Sequence, residues 1–406
     1  MDLALGAAAR ALATFDPLTA LQRIALRDDP GALALRGVAM AQLGDHGAAR
    51  KLLGRAARGL EHGDPRAHAR CLAAQGEIAL ACRDVTEAGR VLDAAQRALD
   101  AQGDHANALF VRLLRVRRLV LVGSVREAAA MLGGLDLTNA PPRLRALADL
   151  TGADIAVRTL DPRTASACLA RARRTARAAA LPALSDEVAR AAAALAAPVA
   201  RVVRSGVERL VGLDEVVEIL RSDQLLVDAC RRTIRAGDSI VPLVTRPVLL
   251  SLAVALASAV PGDATREALA EAAFGARRIT DSTRARLRVE IGRLRHTLDE
   301  LADVEATGRG YALRPRRGAR VVVLLPPEPG EASAVLALLR AGESWSTSAL
   351  AAAVGTSQRT VQRALLALRD NGRVEATGRG RAQRWVARPP EGFATALLLV
   401  MPGPRG

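Results

Sequence analysis

Arg309 and Arg379 each stand between two glycines in the segment Val-Glu-Ala-Thr-Gly-Arg-Gly, which occupies residues 304–310 and again residues 374–380. Each copy precedes a short alternating run, Tyr311-Ala312-Leu313 in the first and Ala382-Gln383-Arg384-Trp385-Val386 in the second. A strand, a Gly-Arg-Gly tip and a returning strand make a β-hairpin, with glycine supplying the positive φ that tight turns need. The guanidinium at such a tip can bond a phosphate oxygen or enter a minor groove. That is recognition chemistry. The chain has no Gly-x-x-x-x-Gly-Lys-Ser/Thr loop, no Gly-x-Ser-x-Gly, no His-Glu-x-x-His and no paired-carboxylate motif, so nothing proposes an enzyme. A solvated turn is the rival reading of Gly-Arg-Gly. The arginine-rich helical pattern before each copy favours nucleic acid.

The rest of the chain has to position these hairpins. Its 406 residues suffice for roughly two to four domains. Hydrophobic residues make up 50% but aromatics only 2%, so the cores are Ala, Leu and Val, which favours close-packed helices over β-sandwiches. A net charge of +16 points to a polyanionic partner. Lys51 is the only lysine, so the charge is arginine and counts only where it clusters. Cys71, Cys82, Cys168 and Cys230 form no Cys-x-x-Cys pair, and His46, His62, His68, His105 and His296 have no ligand spacing with them. The cysteines read as small buried residues in a reducing compartment, with no metal or cofactor. No signal-like segment opens the chain, and the apolar runs at 119–123 and 393–401 are too short to span a bilayer. The expected location is cytoplasmic, at the nucleoid, without a membrane partner.

Residues 1–200 are rich in Ala and Leu, helically periodic and repetitive. Leu43-Gly44-Asp45-His46-Gly47-Ala48-Ala49 aligns with Cys82-Arg83-Asp84-Val85-Thr86-Glu87-Ala88, with Val122-Gly123-Ser124-Val125-Arg126-Glu127-Ala128 and, more weakly, with residues 161–169. Leu53, Leu92, Leu132 and Leu169 follow at spacings of 39, 40 and 37 residues. Such a period signals stacked helical hairpins, in which small residues let helices approach closely. The pattern resembles tetratricopeptide-type repeats, with a longer period and without their aromatic positions. A concave surface for a peptide, a partner protein or a second copy is what this implies. Arg112, Arg115, Arg117 and Arg118 read as solvated residues of one helix.

From Arg201 to about Leu325 the composition changes. Short β-like runs at 225–228, 231–235 and 240–244 precede three helical patterns. Thr245 is placed to cap the first, which begins Arg246-Pro247 and runs to about Val260. Thr265 caps the second, to about Phe274, and Asp281 the third, to about Leu301. Leu287, Ile291, Leu294 and Leu298 make a buried stripe on the third. Val289-Glu290-Ile291-Gly292-Arg293-Leu294-Arg295-His296-Thr297-Leu298 with Gly308-Arg309-Gly310-Tyr311-Ala312-Leu313 resembles the winged-helix output domain of two-component response regulators of the OmpR/PhoB type. The resemblance covers residues 216–315 and implies a small sheet, three helices and a wing, the third helix reading DNA. It nominates Thr283, Arg284, Arg286, Arg293 and His296 as contacts. By helical geometry Arg286, Arg293 and His296 lie away from the stripe, whereas Arg284 sits near its edge, in reach of phosphate. Nothing in residues 1–200 resembles a phosphoacceptor domain, so control by aspartyl phosphorylation is not expected. Antibiotic-pathway activators of actinobacteria pair the same two modules in the opposite order.

Pro326-Pro327-Glu328-Pro329-Gly330 is a stiff linker. A helix over 332–339 follows, then one capped by Ser346 or Thr347, then one capped by Ser357 and running to about Arg369, with Val361, Leu365 and Leu368 as its buried stripe. Val354-Gly355-Thr356-Ser357 has the tight connection of a helix-turn-helix. Residues 350–363 resemble that motif in many bacterial repressors and activators. The resemblance nominates Ser357, Gln358, Arg359, Thr360, Gln362 and Arg363, and Arg and Gln can bond bidentately to guanine and adenine edges. Arg379, Arg381 and Arg384 line the second wing.

The expected fold is mainly α. An N-terminal α-solenoid of helical hairpins (1–200) precedes a winged helix-turn-helix with a small sheet (205–325), the linker (326–330), a second winged helix-turn-helix (331–390) and an apolar tail (391–406) that packs on it or on a partner subunit. The expected function is sequence-specific transcription regulation. Its partners are double-stranded DNA and, through the repeats, another protein or a second copy. Two rivals differ in class: a plasmid or chromosome replication-initiation or partition protein, and a protein-interaction scaffold. The arginine-bearing helices count against the scaffold.

Overall fold

The computed structural model describes residues 3–178, 182–276, 278–327, 330–340, 344–371, 373–378, 380 and 383–387. Arg379, Arg381 and the apolar tail lie outside these. Among the described residues the chain is mainly helical, with three small sheets. It divides between Leu195 and Ala196 into two compact units. No described helix is long and apolar enough to cross a membrane.

In the first unit α1 (Leu3–Ala13) and α2 (Pro17–Ile24) lead into helix pairs: α3 (Pro30–Gln42) with α4 (His46–Leu60), α5 (Pro65–Ala81) with α6 (Val85–Ala101), α7 (His105–Leu121) with α8 (Val125–Gly133), and α9 (Pro142–Arg158) with α10 (Pro162–Ala178). The last helix is α11 (Pro182–Ala196). Within pairs, a residue with left-handed φ precedes the cap: Gly44 before Asp45, Arg83 before Asp84, Leu160 before Asp161. Each aspartate accepts a backbone N–H of the helix it starts, from Ala48 (2.9 Å), Glu87 (3.1 Å) and Thr164 (3.1 Å). The periodic leucines have a packing cause. A Cβ on Gly37 would lie 2.7 Å from Leu53, and one on Gly76 2.4 Å from Leu92, so glycine opens the crossing that each leucine fills. Both leucines are fully buried.

Arg117 is not solvated as its helical position suggests. It donates to Glu187 at 2.5 Å, and Glu77 lies in the same buried cluster, 2% exposed. Burial pushes the Glu77 carboxyl up to about 8, opposed in part by Arg117. The cysteines also depart from expectation: Cys71 and Cys168 are buried, but Cys230 is half-buried and Cys82 exposed.

The second unit opens with a six-stranded sheet. In spatial order its strands are β2 (Val207–Val211), β1 (Ala200–Arg204), β9 (Val321–Leu325), β3 (Leu225–Asp228), β4 (Thr233–Ala236) and β5 (Ser239–Pro242). All neighbours are antiparallel except β3 and β9, which run parallel with Val227 beside Val323. The helix α12 (Leu213–Arg221) joins β2 to β3. The sheet is larger than the three runs read from sequence, and it begins at Ala200, within the span assigned to the repeats.

Next come α13 (Pro247–Ala259), β6 (Ala264–Thr265), α14 (Arg266–Phe274), α15 (Asp281–Thr297), β7 (Ala302–Ala306) and β8 (Gly310–Pro315), in a sheet ordered β6-β8-β7. Leu252 and Leu256 of α13 pack with Leu287, Ile291 and Leu294 of α15 and with Val304 and Leu313 of the hairpin. Two caps differ from the sequence reading. Arg246, not Thr245, occupies the N-cap of α13, without a side-chain bond. Thr280, not Asp281, caps α15 by accepting the Thr283 N–H at 3.2 Å. The helix ends at Thr297, short of Leu301.

The chain continues through α16 (Glu331–Arg340), α17 (Thr347–Val354), α18 (Gln358–Asp370), β10 (Val374–Thr377) and β11 (Arg384–Ala387). Val335, Leu339, Leu350, Val361, Leu365, Leu368 and Trp385 form their core. Trp345 and Trp385 exchange backbone hydrogen bonds of 3.0 and 2.8 Å.

Candidate nucleic-acid interface

The helix α18 is positioned by a tight turn. Gly355 closes α17 with φ +78 and donates its N–H to Ala351, and Ser357 caps α18 by accepting the Thr360 N–H at 3.1 Å. The Ser357 and Thr360 hydroxyls lie 2.8 Å apart, so both serve the cap. The other four nominated residues differ. Gln358, Arg359, Gln362 and Arg363 are exposed, and no described residue holds their side chains. They lie opposite Val361, Ala364, Leu365 and Leu368, at spacings that make them neighbours on one face. Four long exposed side chains carrying donors, two of them cationic and none with a described partner, thus share one face that can meet an acceptor-rich surface.

On α15 the nominated arginines are engaged within the chain. Arg284 pairs with Asp281 at 3.3 Å and Arg293 with Glu290 at 2.7 Å. Arg286 stacks over the Phe274 ring, 4.3 Å from its centroid. Thr283 is tied into the cap, its hydroxyl 2.9 Å from that of Thr280. Arg288 is exposed without a described partner. Val289, 54% exposed on the face opposite the leucine stripe, escaped the sequence reading, although helical periodicity alone puts it there.

The two hairpins differ despite their shared sequence. In the first, Thr307 donates its hydroxyl to Asp263 at 2.6 Å and Arg309 donates to the other oxygen of that carboxylate at 2.7 Å. Arg266 donates to the carbonyls of Gly308 and Thr307 at 2.9 and 3.2 Å. The Thr307 hydroxyl, then Arg309, hold the Asp263 carboxyl below its ordinary range. Positive φ is not what this tip requires, since neither Gly308 nor Gly310 has it. Gly310 is needed for close approach: a Cβ there would fall 1.8 Å from the Ala264 carbonyl oxygen, across the β6–β8 pairing. In the second hairpin Gly378 and Gly380 have φ of +76 and +58, as expected for a turn. There Arg384 is exposed and donates to the Gln383 carbonyl at 3.1 Å.

Beside α15 lies a cavity of about 530 Å³, lined by Arg246, Pro247, Glu290, Arg293, His296 and Thr297 among others. It places His296 and Arg293 together with Arg246, which sequence reasoning passed over as a helix start. Arg246 reaches Thr297 Oγ1 at 3.4 Å. The start of α13, three cationic or titratable side chains and one carboxylate therefore share one concavity.

Comparison with protein-family models, with curated proteins and with solved structures found no match to this chain.

Proposed function

We propose that the chain is a sequence-specific, double-stranded-DNA-binding transcription regulator with tandem winged helices. Helices α13, α14 and α15 followed by β7–β8, and α16, α17 and α18 followed by β10–β11, repeat an order in which the third helix enters the major groove and the hairpin lies alongside. One observation carries the reading: the exposed row Gln358, Arg359, Gln362 and Arg363, without partners among the described residues, on the second helix of a tightly turned helix pair. Side chains of these types read guanine and adenine edges, and an exposed row without described partners can meet those edges without first breaking a contact within the chain. In this account α18 supplies most of the sequence preference. The first head, with Arg284, Arg286, Arg293 and Arg309 engaged internally, adds a weaker half-site and positions the protein through backbone contacts. The helix pairs of the first unit form an α-solenoid that holds another protein or a second copy of the chain.

Genome-wide mapping of bound sites tests this. Sites scattered at promoters are the expected result. Sites confined to iterated repeats at one origin favour replication initiation instead, and the absence of any enriched sequence would sink DNA reading altogether.

A further inference from the structure

Arg232 ends the turn between β3 and β4, and three of its features are unusual together. Its φ is +56, a conformation that side-chain-bearing residues seldom adopt. It is only 8% exposed, and burial lowers its pKa. Among the described residues no carboxylate pairs with it: its guanidinium donates to the Val244 carbonyl at 3.4 Å and to the carbonyl of Ala353. Asp228, fully buried, braces the same turn by accepting the Arg231 N–H at 2.9 Å.

The second acceptor belongs to the other head. Ala353 lies in the last turn of α17, where carbonyls lack helical donors and the helix dipole is negative, so a guanidinium suits it. A second contact lies beside it. A Cβ on Gly355, in the turn before α18, would stand 3.1 Å from the Pro247 side chain at the start of α13. The turn that aims α18 is therefore seated on the same helix start that borders α15.

We infer that Arg232 is a positioning residue that locks the turn between α17 and α18 onto the first head, so that α15 and α18 read one composite site at a single fixed spacing. This rests on the DNA-reading proposal, but the lock itself is measurable without DNA. A charged, buried donor gives such a dock one register, because any shift of the second head takes the Ala353 carbonyl from the guanidinium.

The test uses the full-length chain with Arg232→Met, which keeps the stem and removes the donors, and Arg232→Lys, which restores one cationic donor. Spin labels on non-natural residues at Glu300 and Leu366, both exposed, report the separation of the heads. One narrow distance distribution is expected for the wild type, a broad one for Arg232→Met, and partial narrowing for Arg232→Lys. In selection from random DNA the wild type should return two half-sites at one spacing, and Arg232→Met the same half-sites at many spacings. Affinity for the preferred composite site should fall about tenfold in Arg232→Met as preorganisation is lost. A narrow distribution in Arg232→Met, or wild-type half-sites at variable spacing, overturns the lock. Narrow wild-type and broad mutant distances with no sequence selected by either protein would keep the lock and remove DNA reading.

Discussion

The two heads of the second unit carry the same seven residues at their hairpins and similar arginine content on their third helices, yet they use both differently. On α18, Arg359 and Arg363 are exposed and have no partner among the described residues. On α15, Arg284, Arg286 and Arg293 are bound to Asp281, Phe274 and Glu290. The difference teaches that counting basic residues does not locate a reading surface. An exposed ion pair is worth little to stability, but it lowers the charge offered to a polyanion. A sequence-identical motif likewise takes its role from what packs on it: β6 and Asp263 clamp the first hairpin, while the second turns through two left-handed glycines.

The largest expected effect separates the hairpins by stability. Gly310→Ala should destabilise by about 3 kcal/mol or more, because its Cβ collides with backbone. Gly378→Ala should cost about 1–2 kcal/mol, the penalty of a left-handed alanine. Denaturant unfolding of both variants decides, and equal losses would erase the distinction.

A smaller effect should follow from unpairing the first head. Asp263→Asn and Glu290→Gln release Arg309 and Arg293 from carboxylates. Each should raise affinity for all sequences alike and steepen the log–log salt dependence by about 0.9. An unchanged slope would mean that these arginines face away from DNA.

The smallest effect is on pH dependence. The Asp263 carboxyl is held below its ordinary value of 3.8, so its contribution is complete above that value and is lost as pH falls through the lower, folded one. The protection of the Gly310 amide, whose N–H bonds Thr307, relative to an unstructured amide at the same pH should fall only in acid. Glu77 in the first unit carries the opposite sign. Its carboxyl rises from 4.5 to about 8 on folding, so stability contributed there is lost as pH increases between those values. Glu77→Gln should remove that slope in pH-dependent unfolding.

Much of this arrangement was legible in local pattern. The helices at 247–259, 266–274, 281–297 and 358–370 follow from apolar stripes of period 3.6 bounded by Pro, Thr, Ser and Gly. What was not legible depends on distant partners. Val321–Leu325 becomes a central strand because β3, almost a hundred residues earlier, accepts it in parallel, and a short apolar run announces no such partner. The need for Gly310 comes from Ala264, and the quenching of Arg309 from Asp263. Arg286 gave no sign of its ring contact with Phe274. Local sequence nominates exposed side chains, and tertiary contacts then decide which remain available.

The most direct test is a matched pair of double variants in the full-length chain, Arg359→Ala with Arg363→Ala against Arg284→Ala with Arg293→Ala, titrated on preferred and scrambled duplexes. The first pair should lose about 1–3 kcal/mol per bidentate contact and much of its preference for the preferred duplex. The second should lose less and keep its preference. Unchanged affinity and preference in the α18 pair would contradict the assignment of that helix as the reader of sequence.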